Sequence, residues 1–244
     1  MKYVCIIVAL LHSFAGIAQK GDSLLVERYQ FNLQKQKLDY AIPVQRAGYL
    51  SPRKMVLPVG MLTYGFLSLY SEELEEANKE VQEEIHEHNE TFHTTIDNYL
   101  QFAPAASVYI LNAAGVKGQH NFRDRTIILG ISTGLMAGTV FALKKITHQQ
   151  RPDGSAYNTF PSGHTATAFS GAEFMQVEFK GYSPLFRYSG YAMAAGTGVL
   201  RMYNNRHWLG DVIAGAGVGI LSTRASYWLF ERMKMKKIKS TPIL

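Results

Sequence analysis

An all-α fold is predicted by three features of this 244-residue chain. Apolar runs at about 55–70, 102–116, 126–143, 165–177, 186–200 and 209–230 carry helical spacing. Period-two alternation bounded by hairpin turns is missing. Hydrophobic residues make up 47%, enough for one large domain with a sizeable core, while a mean hydropathy of −0.07 is low for a chain made mostly of membrane spans.

In chain order, residues 1–18 read as a secretory signal. Lys2 supplies the charged start, Val4 to Ala15 the apolar stretch, and Gly16-Ile17-Ala18 the small residues before a cut at Gln19. An uncleaved anchor is the alternative, but the apolar run is short for a span. Cys5, the only cysteine, lies inside this segment, so a cleaved chain has no thiol for disulfides, thiolate catalysis or metal binding. Residues 19–54, with breakers Pro43 and Pro52, read as an N-terminal arm, residues 55–232 as the main domain and 233–244 as a basic tail. Within the domain, Glu72 to Thr95 is rich in glutamate, and His86, His88 and His93 follow. This segment reads as a solvated amphipathic helix with Leu74, Val81 and Ile85 on its buried stripe, because His86 and His88 share no helix face suited to a metal.

Net charge is +6, much of it in Lys234, Lys236, Lys237 and Lys239. A basic end of this kind is solvated or touches anionic headgroups. No aromatic-interleaved basic groove is present, which argues against nucleic acid. Several apolar runs are only about 16 residues, short of a span, and Glu173 and Arg224 interrupt two of them. The clusters Arg53-Lys54, Lys117 with Arg123 and Arg125, and the lysine tail all fall on one side of the runs. By the positive-inside rule that side is cytoplasmic. A cleaved signal with six true spans gives the opposite orientation. The two agree if the first run, which holds Pro58 and Gly60, does not span, or if none does.

Three polar clusters between the runs carry the chemistry. In the third, His207 and Asp211 stand four apart, one turn on a helix face. A carboxylate there fixes the imidazole tautomer and frees the other nitrogen as a nucleophile; the same pair also suits a helix-start cap. Lys144, Arg151 and Arg201 supply cations whose geometry and charge match phosphate oxygens, and spacing to Arg151 favours Lys144 over Lys145. In Phe160-Pro161-Ser162-Gly163-His164-Thr165, Ser162 reads as an N-cap, the helix-start amides as an anion site, and Gly163 as room for a ligand oxygen. His164 at the first turn could donate a proton to a leaving-group oxygen; a capped helix with an incidental histidine is the alternative.

Together, Lys144-x6-Arg151-Pro152, Pro161-Ser162-Gly163-His164 and Arg201-x5-His207-x3-Asp211 resemble the signature of the type 2 phosphatidic acid phosphatase (PAP2) family, whose superfamily includes bacterial acid phosphatases and vanadium haloperoxidases. The resemblance covers about residues 98–230. It implies a PAP2-like bundle of about six core helices, with His207 as phosphohistidine-forming nucleophile, Asp211 as its orienter and His164 as general acid. Lys144, Arg151, Arg201, Ser162 and the Gly163 amide would hold the phosphoryl group. No metal and no cofactor are implied for the phosphatase branch. Leu200 departs from the family, which usually has Ser before the third-cluster arginine.

The expected function is a metal-independent phosphatase acting on a phosphate ester or diphosphate, with a lipid as favoured substrate: phosphatidic acid, a polyprenyl diphosphate or a lipid A phosphate. Membrane association is expected, with an exported active site facing the periplasm. A soluble nonspecific periplasmic acid phosphatase acting on small phosphate esters, a vanadate-dependent haloperoxidase, and a non-catalytic lipid- or anion-binding protein are the rivals.

Overall fold

A computed structural model describes residues 48–87, 89 and 91–240, with side chains described through Met235. The signal segment 1–18 and arm residues 19–47 lie outside the described residues, as does His88. The described chain is helical, without strands: α1 (Pro52–Leu67), α2 (Glu72–Glu87), the one-turn α3 (Asp97–Leu100), α4 (Ala103–Ala113), α5 (Phe122–Thr147), α6 (Gly163–Glu178), α7 (Pro184–Tyr203) and α8 (Leu209–Ser240). Six of these correspond to the six apolar runs. The first begins at Pro52, inside the stretch read as arm, and the last continues to Ser240, through the lysine run read as a separate tail.

Helix boundaries follow local chemistry. Asn121 caps α5 by accepting from Asp124 N–H, Ser162 caps α6 by accepting from Thr165 N–H, and Ser183 caps α7 ahead of Pro184 at its first position. At the end of α5, His148 adopts a left-handed conformation and its N–H returns to Lys144 O.

Helices α1, α5 and α7 run toward one end of the bundle, and α4, α6 and α8 run away from it. Helix α6 lies at the centre, packed on α4, α7 and α8. Phe174 and Tyr227 anchor the apolar core with Val108, Ile128 and Phe179. Small residues bring α6 and α8 into backbone contact. A Cβ on Gly215 would sit 2.5 Å from Ser162 O, and one on Gly219 would sit 2.3 Å from Ala166 O.

The two charges that interrupt the apolar runs meet in space. Arg224 on α8 donates through Nε and Nη2 to the two oxygens of Glu173 on α6, at 2.8 and 3.1 Å, and Tyr191 on α7 donates to the same carboxylate. Arg224 Nη1 also reaches Lys54 O at the start of α1. A bidentate pair of this kind offsets much of the cost of burying each charge alone.

Helix α2 lies across the other end. Leu74, Val81 and Ile85 are half-buried, as their spacing predicts, but Asn78 and Gln82 are the fully buried positions. Asn78 accepts from Gly210 N–H at 3.1 Å, and Gln82 donates to Met202 O and to Asn205. Hydrogen bonds to the backbone at the α7–α8 corner, beside apolar contact, thus seat this helix.

A paired substitution tests the α6–α8 contact. Gly219→Ala is expected to lower stability by about 1–3 kcal/mol through overpacking. Gly134→Ala on α5, where a Cβ meets nothing within 4 Å, is expected to be neutral or to gain up to ~1 kcal/mol in helix propensity. Thermal unfolding of both variants in detergent checks the contrast.

Candidate active site

The three polar clusters come together where α5 and α7 end and α6 and α8 begin. Each reaches that place for a local reason: Lys144 is on the last turn of α5, Ser162 to His164 open α6, Arg201 ends α7, and His207 with Asp211 opens α8. Ser162 N–H donates to Asp211 O at 3.0 Å, which locks the second cluster to the third. The starts of α6 and α8 both point their positive dipole ends at this place.

His207 and Asp211 are almost fully buried. His207 Nδ1 lies 3.5 Å from Asp211 Oδ2 and 3.1 Å from the hydroxyl of Thr159, which in turn donates to Asp211. Asp211 also accepts from Trp208 N–H at 2.8 Å. With Nδ1 engaged, Nε2 is the nitrogen able to attack. Burial is the main force lowering the His207 pKa, to about 4; the neighbouring carboxylate of Asp211 opposes it, and Lys144 and Arg201 add to it.

His164, half-buried, has Nε2 2.8 Å from Asn98 Oδ1. Its pKa is also lowered to about 4, first by burial, then by Arg201, with Asp97 opposing and Arg151 and Lys144 adding. Lys144, Arg151 and Arg201 therefore all act on one imidazole. Arg151 in turn is lowered by burial and then by the nearby Arg201 and Arg206. The predicted cations converge.

Each cation is fixed differently. Lys144 Nζ donates to Asn158 O and, at 3.1 Å, to Thr159 O, whereas Lys145 lies over the Phe141 ring. Arg151 Nε donates to Asn158 Oδ1 at 2.9 Å. Arg201 Nη1 donates to Asp97 at 2.6 Å, while its buried Nε has no hydrogen-bond partner among the described residues. Ser162 Oγ accepts from Thr165, through the backbone N–H and the hydroxyl, so its own hydrogen remains for an anion. A Cβ at Gly163 would touch only Val140, at 3.7 Å, so packing does not require the glycine. Leu200 is half-buried on the last turn of α7.

Sequence reasoning missed Asp97, Asn98 and Thr159. Asp97 holds Arg201, and Asn98 holds His164, although both lie ahead of the first cluster. Asp97 is buried at the start of a one-turn helix. An acidic residue next to an amide in a polar connection is too common a pattern to single out.

Residues 125–234 match the PAP2 superfamily. The Lipid A 1-phosphatase of Porphyromonas gingivalis is 41% identical over 140 residues, 57% of this chain and 32% of that protein. The chain thus spans about a third of the length of this curated relative. Two solved structures resemble this chain. LpxE of Aquifex aeolicus has a TM-score of 0.47 at 22% identity, covering 62% of this chain and 94% of its own. The transmembrane PAP2 type phosphatidylglycerolphosphate phosphatase of Bacillus subtilis has a TM-score of 0.49 at 19% identity, covering 74% and 96%.

The lowered pKa values make His164 and His207 neutral above about pH 4 and protonated only below it. NMR titration of histidine-labelled protein should place both midpoints near 4, not near 6.5. Added inorganic phosphate should raise the His164 midpoint, because an anion offsets the three cations. Midpoints of 6.5 in the phosphate-free protein would contradict the burial described here.

Proposed function

We propose that this chain is a metal-independent lipid phosphatase working through a phosphohistidine. The feature that carries the reading is the gathering of Lys144, Arg151 and Arg201 around half-buried His164, beside the buried His207–Asp211 pair that Thr159 ties to Lys144. His207 Nε2 attacks phosphorus, forming the P–N bond as the P–O bond to the leaving group breaks, and protonated His164 gives its proton to the departing oxygen. The positive charge that develops on the His207 ring is held by Asp211. Water then attacks phosphorus, gives its proton to His164 and breaks the P–N bond, releasing inorganic phosphate. Charge on the equatorial oxygens is neutralised by the three cations and the amides at the start of α6.

A lipid substrate is supported by the surface. Leu57 on α1, Ile110 on α4, Phe141 and Ile146 on α5 and Leu185 on α7 are each more than 60% exposed, so large apolar side chains face outward around the bundle. Helix α5 is long and apolar enough to cross a membrane, about 39 Å at 1.5 Å per residue. The Glu173–Arg224 pair removes the objection that α6 and α8 carry lone charges. The likeness to Lipid A 1-phosphatase favours a lipid A phosphate among the lipid candidates.

Orientation follows from charge. Arg53 and Lys54, Lys117 and Arg123, Lys180, and Arg232 with Lys234 all lie at the end away from the site, whereas the acidic α2 lies at the site end. By the positive-inside rule the site faces away from the cytoplasm.

Phosphate release from lipid A 1-phosphate, phosphatidic acid, a polyprenyl diphosphate and soluble esters, with EDTA present, tests the reaction. Turnover of lipid phosphates is expected, with His207→Ala at background and acid-labile label trapped on wild-type protein. Release from soluble esters alone would refute the lipid assignment. In a Cys5→Ser background, an impermeant maleimide applied to intact cells should label Tyr157→Cys at the site end and not Leu185→Cys at the far end. The reverse pattern would invert the orientation.

A further inference from the structure

We infer that Thr159 is a positioning residue that couples the His207 imidazole to Asp211 through its hydroxyl. The inference deepens the phosphatase reading and rests on it for its kinetic consequence, though not for its geometry.

The His207 Nδ1 to Asp211 Oδ2 separation, 3.5 Å, is long for a hydrogen bond. The Thr159 hydroxyl closes that gap, lying 3.1 Å from Nδ1 and in hydrogen-bond contact with Oδ2. The direction of each bond follows from the inventory of donors. An ionised carboxylate only accepts, so the single hydroxyl hydrogen goes to Asp211. The alternative acceptor, Arg206 O at 3.4 Å, is neutral and competes poorly with a charged one. The hydroxyl oxygen is then an acceptor toward the ring, and Nδ1 must carry the proton. That arrangement leaves the Nε2 lone pair bare, as attack on phosphorus requires. When the ring becomes cationic, the Nδ1–H to Thr159 to Asp211 chain links the new charge to the carboxylate.

Thr159 is placed for this by more than its side chain. It is fully buried. Its N–H donates to Gln149 O at 3.1 Å, and its carbonyl accepts from Lys144 Nζ at 3.1 Å. It stands two residues before Pro161, at the head of the second cluster. One residue therefore touches the first cluster through its carbonyl and the third through its hydroxyl, and its main chain leads into the second. Serine retains the hydroxyl, while valine keeps the shape and loses it.

The test is the set Thr159→Val, Thr159→Ser and wild type. Thr159→Val is expected to lower kcat about 10- to 100-fold, the usual cost of losing an outer-shell orienting partner, with KM nearly unchanged. Thr159→Ser should recover most of that loss. The tautomer is read separately from nitrogen shifts of labelled His207: Nδ1–H in wild type and Thr159→Ser, a mixture in Thr159→Val. Equal losses in Thr159→Ser and Thr159→Val would assign the effect to packing and overturn the inference. Wild-type turnover in Thr159→Val would also overturn it, and so would an Nε2–H tautomer in the wild-type protein, a measurement that stands even if Thr159→Val does not fold. Wild-type protein with the Nδ1–H tautomer that releases phosphate from no substrate would instead sink the phosphatase reading and leave the geometry of Thr159 intact.

Discussion

The close approach of α6 and α8 is the constraint on which the site depends. Gly215 and Gly219 allow the backbones to touch, since a Cβ at either would overlap a carbonyl oxygen of Ser162 or Ala166. That approach sets the register of two helix starts. Ser162 N–H reaches Asp211 O, and the capped start of α6 comes to lie beside the imidazole that precedes α8. Two helix N-termini aimed at one place create a positive field before any lysine or arginine is added. Separating the helices by one methyl group would move the His207 imidazole relative to the amides at the start of α6.

Polar groups inside the bundle are paired in ways that let an apolar exterior and a charged interior coexist. Glu173 and Arg224 neutralise each other and recruit Tyr191. Ser132, Ser170 and Thr223 form a hydroxyl cluster with separations of 2.8 to 3.0 Å between α5, α6 and α8. At the end far from the site, Glu178 accepts from His120 and from Tyr227, tying the α4–α5 connection to α6 and α8. These contacts join helices crosswise, whereas large apolar side chains face outward. The distribution suits a surrounding as apolar as the side chains themselves, where helix association relies on small residues and internal hydrogen bonds.

Much of this was legible in the sequence because it is local. Helical spacing marked all six principal helices, and the three clusters sit at helix ends where capping residues and glycines announce them. What escaped depends on contacts between distant positions. Glu173 and Arg224 read as interruptions because each, taken alone, is a buried charge; only their 51-residue separation closing in space makes them a pair. Asp97 and Asn98 have no spacing relation to the clusters they serve, 104 and 66 residues away. On α2 the apolar spacing picked the inward side, but Asn78 and Gln82 are the buried positions because the backbone at the α7–α8 corner offers partners that a polar side chain alone can meet.

Arg201 shows how the pocket is held ready for an anion. A guanidinium this buried needs compensation, and Asp97 gives it through Nη1. The same bond fixes the plane of the fork, leaving buried Nε without a partner among the described residues. An unsatisfied buried donor costs about 1–3 kcal/mol. A phosphate oxygen meeting Nε recovers that cost on binding. Asp97 neutralises one cation, so Lys144 and Arg151 leave the remaining charge positive around two imidazoles kept neutral by burial. An arriving phosphate therefore relieves mutual repulsion among the cations and the pressure that keeps His164 unprotonated. In the reaction proposed above, the charge of the substrate thus favours the protonated His164 that the proposed proton transfer uses.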